Sequence, residues 1–271
     1  MKRHLTSVAS RVFGVFASTR FPKPLQQAIN RAYVWGFGLD MRDFASLGSY
    51  VSLARLFTRA LVRPRHLEGD KGAYISPCDA VVSACGHIKQ GMALQIKGRE
   101  YSIGKLLGDY IPKRCAEALE GGEFFNLYLS PRDYHRYHAP CHMKIVEAHH
   151  IPGKLFPVNF RWLKKLPQLF CENERVVLVC EDALGERFYM VFVGALNVGK
   201  MRFHFDERIQ TNAKESRHSF YMYEALWMEK GAELGFFEMG STIVMLFENP
   251  RLALGKFEGQ KVRFGELLAS R

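Results

Sequence analysis

Ser241 stands behind a glycine and at the head of an apolar run, Ile243-Val244-Met245-Leu246-Phe247. Gly240 gives the backbone unusual freedom directly before a hydroxyl that can act as a nucleophile. A serine so placed can attack the carbonyl of its own preceding residue, which would cut the chain. Serine is a weak nucleophile at its own pKa and needs a base. The segment Leu129-Ser130-Pro131-Arg132-Asp133-Tyr134-His135-Arg136-Tyr137-His138-Ala139-Pro140 carries two histidines three apart, boxed between two prolines. Histidine is the side chain whose pKa suits proton transfer near neutrality. In Ser76-Pro77-Cys78-Asp79-Ala80 an aspartate follows a proline turn and enters an apolar strand, where it can be partly buried. Together these supply an Asp, a His and a Ser far apart in sequence, as triads usually do. Each has a plainer reading: an ordinary turn aspartate, and histidines on a surface loop.

Cys141 and His142 could add metal ligands. The spacing His-x2-His-x2-Cys-His matches no zinc pattern, and no second Cys/His cluster completes it, so no metal is expected. The stretch Val193-Gly194-Ala195-Leu196-Asn197-Val198-Gly199-Lys200 has two glycines flanking a small apolar segment, which suggests close backbone approach. It lacks the spacing of a phosphate loop.

The elements that must position these groups fall into two textures. Residues 1 to about 66 read as helical; Ser49 to Leu61 has helical periodicity, and Pro64 should end it. From about Ala73 the chain turns to short β-rich runs between turn residues: 80–84, 124–129, 175–180 and 187–193. Residues 103–107 suggest one short helix, 250–259 a loop, and Val262-Arg263-Phe264 a last short strand. The expected class is α+β: a helical membrane-docking segment over 1–66, then a mainly β catalytic domain over 67–271.

With 271 residues and 48% hydrophobic content, the chain can bury a substantial core. No run approaches the roughly 18 apolar residues of a membrane span. The six cysteines include no CxxC pair and read as reduced thiols. A net charge of +11 predicts an anionic partner: nucleic acid, acidic lipid or an anionic substrate. The charge is lopsided. Asp40 is the first acidic residue, after Lys2, Arg3, Arg11, Arg20, Lys23 and Arg31. Leu5, Val8, Val12, Phe13 and Phe16 recur near helical spacing, so a basic amphipathic helix lying on an anionic membrane is the preferred reading. A signal peptide fits poorly because Arg11 breaks the apolar segment; a mitochondrial presequence, or helices that merely cap the core, stay open.

Three segments in order, Tyr128 to His138, Val193 to Gly199, and Lys230-Gly231-Ala232-Glu233-Leu234-Gly235-Phe236-Phe237-Glu238-Met239-Gly240-Ser241-Thr242, resemble the phosphatidylserine decarboxylases. The resemblance runs from about Phe57-Thr58-Arg59 to the C-terminus. It implies that Ser241 attacks the Gly240 carbonyl, that the amide becomes an ester, and that β-elimination separates a β chain, 1–240, from an α chain, 241–271. The residue left at 241 becomes a pyruvoyl group, whose carbonyl forms a Schiff base with phosphatidylserine; loss of CO2 and hydrolysis give phosphatidylethanolamine. By position, Asp79 and His138 match the family's triad partners of Ser241, and His135 matches the histidine of decarboxylation. The resemblance further implies a homodimer and, for the bacterial type, a peripheral position on the cytoplasmic face of the cell membrane, with anionic phospholipid rather than nucleic acid as partner.

Two departures from the family pattern stand out. Met239 replaces the usual Leu and should be tolerated. Ala80 takes the place of a more usual glycine and demands an ordinary backbone there. Two rivals are an intact serine hydrolase using Ser241, His138 and Asp79, and a processing-dead lipid-binding protein. No Gly-x-Ser-x-Gly elbow supports the first.

Overall fold

Runs of β-branched and aromatic residues between turns become strands because their branched side chains suit a pleated, buried surface. The computed structural model describes residues 14–96, 98–196, 200–212, 217–238, 241–249 and 252–270. Its first strands are β1 (Tyr74–Ile75), β2 (Ala80–His87), β3 (Met92–Ile96), β4 (Arg99–Ser102), β5 (Glu123–Leu129), β6 (Arg136–His138) and β7 (Met143–Ile151). There follow β8 (Arg175–Asp182), β9 (Arg187–Val193), β10 (Met201–Phe203), β11 (Ser219–Met228), β12 (Glu233–Phe237) and β13 (Ser241–Phe247). The last are β14 (Ala253–Leu254), β15 (Lys261–Val262) and β16 (Leu267–Ser270). Helices are α1 (Lys23–Phe37), α2 (Leu53–Phe57), α3 (Ile103–Leu107), α4 (Lys113–Ala118), α5 (Phe160–Lys165) and α6 (Leu169–Glu172), with residues 14–18 also helical. The architecture is mainly β with a few helices, as the α+β expectation held.

The central element is an antiparallel sheet in the order β11-β7-β8-β9-β13-β5-β2-β15. Every residue of β13 is buried, and its neighbours β5 and β9 are nearly so. A strand covered on both faces carries a continuous apolar run rather than an alternating one. A smaller sheet, β10-β12-β6, lies beside it. There Gly235 is required sterically: a Cβ on it would collide with the Arg202 carbonyl across the β10–β12 ladder. Close approach is also found at Gly194, whose N–H donates to the Glu174 carbonyl at 2.8 Å.

The N-terminal helical reading needs correction. The helix expected over 49–61 is only Leu53–Phe57. Ser52 Oγ caps its start by accepting from the Arg55 amide, and Thr58 Oγ1 donates back to the Ala54 carbonyl at its end. Arg59 then turns inward, and Leu61 forms a β-bridge with Phe44, so the chain is extended well before Pro64. Most of the residues that set the expected amphipathic face, Leu5 to Phe13, lie outside the described residues. At the other end, Val262 is not in the last strand: β16 follows and pairs with β1 and β14, the latter inside the expected 250–259 loop. Two-residue strands carry too little pattern to be read from periodicity.

Apolar side chains gather in one large cluster around the sheet, in a smaller one, Ala17, Tyr33, Leu39, Leu53, Leu56 and Phe57, under the N-terminal helices, and in a third made of Ile75, Tyr134 and Phe264. The N-terminal part is stitched to the histidine segment: Arg59 Nη2 donates to the Arg132 and Asp133 carbonyls, Arg136 Nε to the Thr58 carbonyl, and Tyr33 Oη to the Pro131 carbonyl. No disulfide links any of the six cysteines.

Candidate active site

Ser241 is the first residue of β13, paired with Leu129 at the end of β5. Its side chain is fully buried, and its Oγ has no hydrogen-bond partner among the described residues; Thr242 Oγ1 is in the same state. The chain just before it is tied down. Phe237 N–H donates to the His135 carbonyl at 3.0 Å, and Glu238 N–H to the Lys200 carbonyl at 3.0 Å. Met239 and Gly240, hence the expected cleavage partner of Ser241, lie outside the described residues.

The turn after β5 sets the histidines. Asp133 Oδ2 accepts from both the amide and the hydroxyl of Ser130, at 2.7 Å each, while Asp133 N–H donates to the Ser130 carbonyl. This closes the Ser-Pro-Arg-Asp turn. His135 follows, fully buried, with Phe57 over its ring at 4.0 Å. Its Nδ1 lies 2.8 Å from the Asp133 carbonyl. A carbonyl only accepts, so Nδ1 carries the proton and Nε2 is a bare lone pair, buried without a partner. Burial, with Arg59 nearby, pushes the His135 pKa down to about 3.

His138 ends β6. Its Nδ1 donates to the Gly231 carbonyl at 2.9 Å, so its Nε2 accepts the Tyr134 hydroxyl at 3.0 Å. The Phe264 ring stacks on the imidazole at 3.6 Å. Burial lowers this pKa to about 4. Both histidines are therefore neutral at pH 7, and both present Nε2 as the basic atom.

The Asp79 turn is brought alongside by the His138 N–H, which donates to the Pro77 carbonyl at 2.9 Å. The Asp79 carboxylate accepts two bonds from Arg65, at 2.5 and 3.2 Å, and one from the Phe264 amide at 2.8 Å. Arg65 in turn reaches Asp43 at 3.0 Å. Ala80 opens β2 without a positive φ, so the residue in the glycine place sits in an ordinary conformation.

The structure thus brings Asp79 and His138 onto adjoining turns, joined through Phe264 rather than by a direct hydrogen bond. His135 is tied through its own backbone to the strand that leads to Ser241. Sequence reasoning overlooked Arg65, Tyr134, Phe264 and Arg59. Tyr134 carried a visible signal, its place between Asp133 and His135, and Arg59 carried one as part of Phe57-Thr58-Arg59, where the family resemblance begins; Arg65 and Phe264 come from segments with no motif of their own.

The model of the family described as phosphatidylserine decarboxylase matches residues 53–270. A phosphatidylserine decarboxylase proenzyme of Helicobacter pylori is 46% identical over 264 residues, covering 97% of this chain and 96% of its own. One from Campylobacter jejuni is 44% identical over 265 residues, covering 96% and 97%. A mitochondrial phosphatidylserine decarboxylase proenzyme of Pongo abelii is 35% identical over 302 residues, covering 98% of this chain and 72% of its own.

Proposed function

Because the chain belongs to the phosphatidylserine decarboxylase family, we propose that it cuts itself between Gly240 and Ser241 and then converts phosphatidylserine to phosphatidylethanolamine with a pyruvoyl group at position 241. The observation that carries this reading is the Ser241 hydroxyl: buried, unbonded among the described residues, and at the head of a strand, with the chain at Phe237 and Glu238 held by backbone hydrogen bonds. A buried hydroxyl without a partner is costly, and a nucleophile kept free of competing bonds accounts for it.

In the cut, a base takes the Oγ proton and Oγ bonds to the Gly240 carbonyl carbon. The 240–241 C–N bond breaks, and the amine keeps a proton returned by the base. Loss of the Ser241 α-proton and cleavage of the Cβ–O bond then release residues 1–240 as a carboxylate. Water replaces the nitrogen, which leaves as ammonia. The pyruvoyl group so made supplies an electron sink for the pair released with CO2. The site suits its formation, because the reacting hydroxyl is already desolvated and unbonded.

His138 is the proposed base. To act, its Nε2 must exchange the Tyr134 hydroxyl for that of Ser241. Asp79 positions it through the Phe264 amide and ring and holds Arg65 in place. His135 is the proposed relay for the proton that replaces CO2: its bare Nε2 carries no proton of its own, so it takes one from solvent and passes it to the carbon that has lost CO2. A second reading has a specific observation behind it. The His135 Nε2 is the unoccupied lone pair, and the backbone of this residue is bonded to Phe237, four residues before Ser241, so His135 could serve as the base for the cut.

Position on a membrane belongs to the same proposal. On α1, Leu25, Trp35 and Phe37 are exposed, Trp35 at 88%, beside basic Lys23 and Arg31. Apolar tips with basic neighbours suit a helix lying on anionic lipid, at the cytoplasmic face of a cell membrane. No helix among the described residues is long and apolar enough to cross a membrane.

The test is the denatured mass of the purified protein. Two fragments, 1–240 and 241–271, are expected, the smaller with a blocked N-terminus. One intact chain that persists on long incubation sinks the proposal. His135→Ala and His138→Ala separate the two bases: the variant that stays uncut names the base.

A further inference from the structure

We infer that Arg59 binds the phosphodiester of the phospholipid substrate, beside His135. The inference rests on the decarboxylase reading above and adds to it the residue that holds the headgroup's permanent negative charge.

Arg59 is 2% exposed. One of its nitrogens, Nη2, is used structurally, donating to the Arg132 and Asp133 carbonyls at 2.7 and 3.0 Å. The guanidinium also lies over the Phe44 ring at 4.5 Å. The other two nitrogens, Nε and Nη1, are buried and have no hydrogen-bond partner among the described residues. A clamp on two carbonyls needs only the one nitrogen, and leaving charged donors bare in a protein interior is strongly unfavourable. Arg59 makes no close ion pair among the described residues, and the Asp79 and Asp133 carboxylates act on it only at longer range. The three unmet N–H donors lie on different edges of the planar guanidinium, so each can take an anionic oxygen singly, and the fixed positive charge stays without a counter-ion beside it.

The position identifies the ligand. The Asp133 carbonyl accepts from both Arg59 Nη2 and His135 Nδ1, so guanidinium and imidazole share one oxygen and are immediate neighbours. Arg59 also lines a cavity of about 350 Å³ whose wall includes Arg132 and Lys261. Neither of these two makes a close ion pair among the described residues, although Asp133 of the same wall acts on Arg132 at longer range, whereas Arg42, Arg65 and Arg263 are paired with Asp40, Asp43 or Asp79. Arg59 thus borders, with Arg132 and Lys261, a cavity of headgroup size.

Phosphatidylserine offers two anions, carboxylate and phosphodiester. Pairing Arg59 with the carboxylate would stabilise the group that must leave as CO2 and so oppose the reaction. The phosphodiester is unchanged from substrate to product, and binding it holds ground and transition states equally. Its loss should therefore appear in KM and not in kcat.

The experiment uses the matured enzyme, wild type and Arg59→Gln, with short-chain phosphatidylserine and with glycerophosphoethanolamine as a competitive inhibitor. Arg59→Gln should raise KM and the inhibitor constant by the same factor, about tenfold or more, with kcat within about threefold. Unchanged KM and inhibitor constant, or a fall confined to kcat, overturns the assignment. Should Arg59→Gln fail to mature, binding of glycerophosphoethanolamine is followed by phosphorus NMR on the uncut Ser241→Ala chain against Ser241→Ala with Arg59→Lys. Weaker binding in the double variant supports the site, and equal binding refutes it. Inorganic phosphate binding as tightly as the diester would mark a site for free phosphate and overturn the headgroup assignment. The binding measurement does not depend on cutting or CO2 release, so failure of this inference is distinguishable from failure of the decarboxylase reading.

Discussion

Self-cleavage should be insensitive to mild acid. A histidine at its ordinary pKa of 6.5 is neutral in only about one molecule in thirty at pH 5, so a cut that depended on such a base would slow about 30-fold between pH 7.5 and 5. Burial holds His138 near 4 and His135 near 3, which leaves about nine-tenths or more of either neutral at pH 5. The expected rate is flat over that range, within about a factor of two, and falls only as the pH drops through about 4 for His138 as base or about 3 for His135. The result holds whichever histidine is the base. The assay is the loss of full-length chain by denatured mass after release from a block, with near-ultraviolet circular dichroism at each pH to confirm the fold. A 30-fold fall by pH 5 in a folded protein would refute the reasoning, because it requires a base open to solvent. So weak a base is a modest catalyst by Brønsted behaviour. That is tolerable for a reaction performed once per chain.

Ser241→Ala should remain a single chain and release no CO2 from phosphatidylserine, read by mass and by a labelled-carboxyl assay. Phe264→Ala removes the ring that covers His138; water then reaches the imidazole, its pKa rises toward 6.5, and the acid limb of self-cleavage moves up by a unit or more. Asp79→Asn should slow the cut by roughly 10²–10⁴-fold and cost about 2 kcal/mol, since Arg65 loses one of two carboxylates in a largely buried setting; a denaturant midpoint measures the second effect. Deleting residues 1–20 should weaken binding to anionic vesicles in a salt-sensitive way, and unchanged cosedimentation would favour a purely structural role for that segment.

Much of the fold was legible because its strongest signals are local. The apolar runs 124–129, 175–180, 187–193 and 243–247 became β5, β8, β9 and β13, the inner strands of the sheet, and residues 103–107 became α3. Long buried strands carry a dense pattern that few other elements share. The N-terminal helix was overextended because Ser49 to Leu61 is helical in periodicity, yet Arg59 has its carbonyl partners at 132 and 133. A partner some 70 residues away leaves no mark on local spacing. β14 and β16 were hidden for the same reason, being held by pairing across the chain.

At the site the division is similar. By itself the sequence determined which chemistry was available: a hydroxyl after a glycine, two histidines in one short segment and an aspartate in a turn, in the order and spacing of one family. Those are properties of covalent neighbours and of residue type. The tertiary structure decided which atoms are free to act. His138 Nε2 is occupied by Tyr134, while His135 Nε2, Ser241 Oγ and two nitrogens of Arg59 are left without partners. Asp79 reaches the His138 ring by way of Phe264, which lies 185 residues beyond it. Protonation state followed from burial in the same way, since desolvation depends on everything that packs around a group and on nothing in its own short segment.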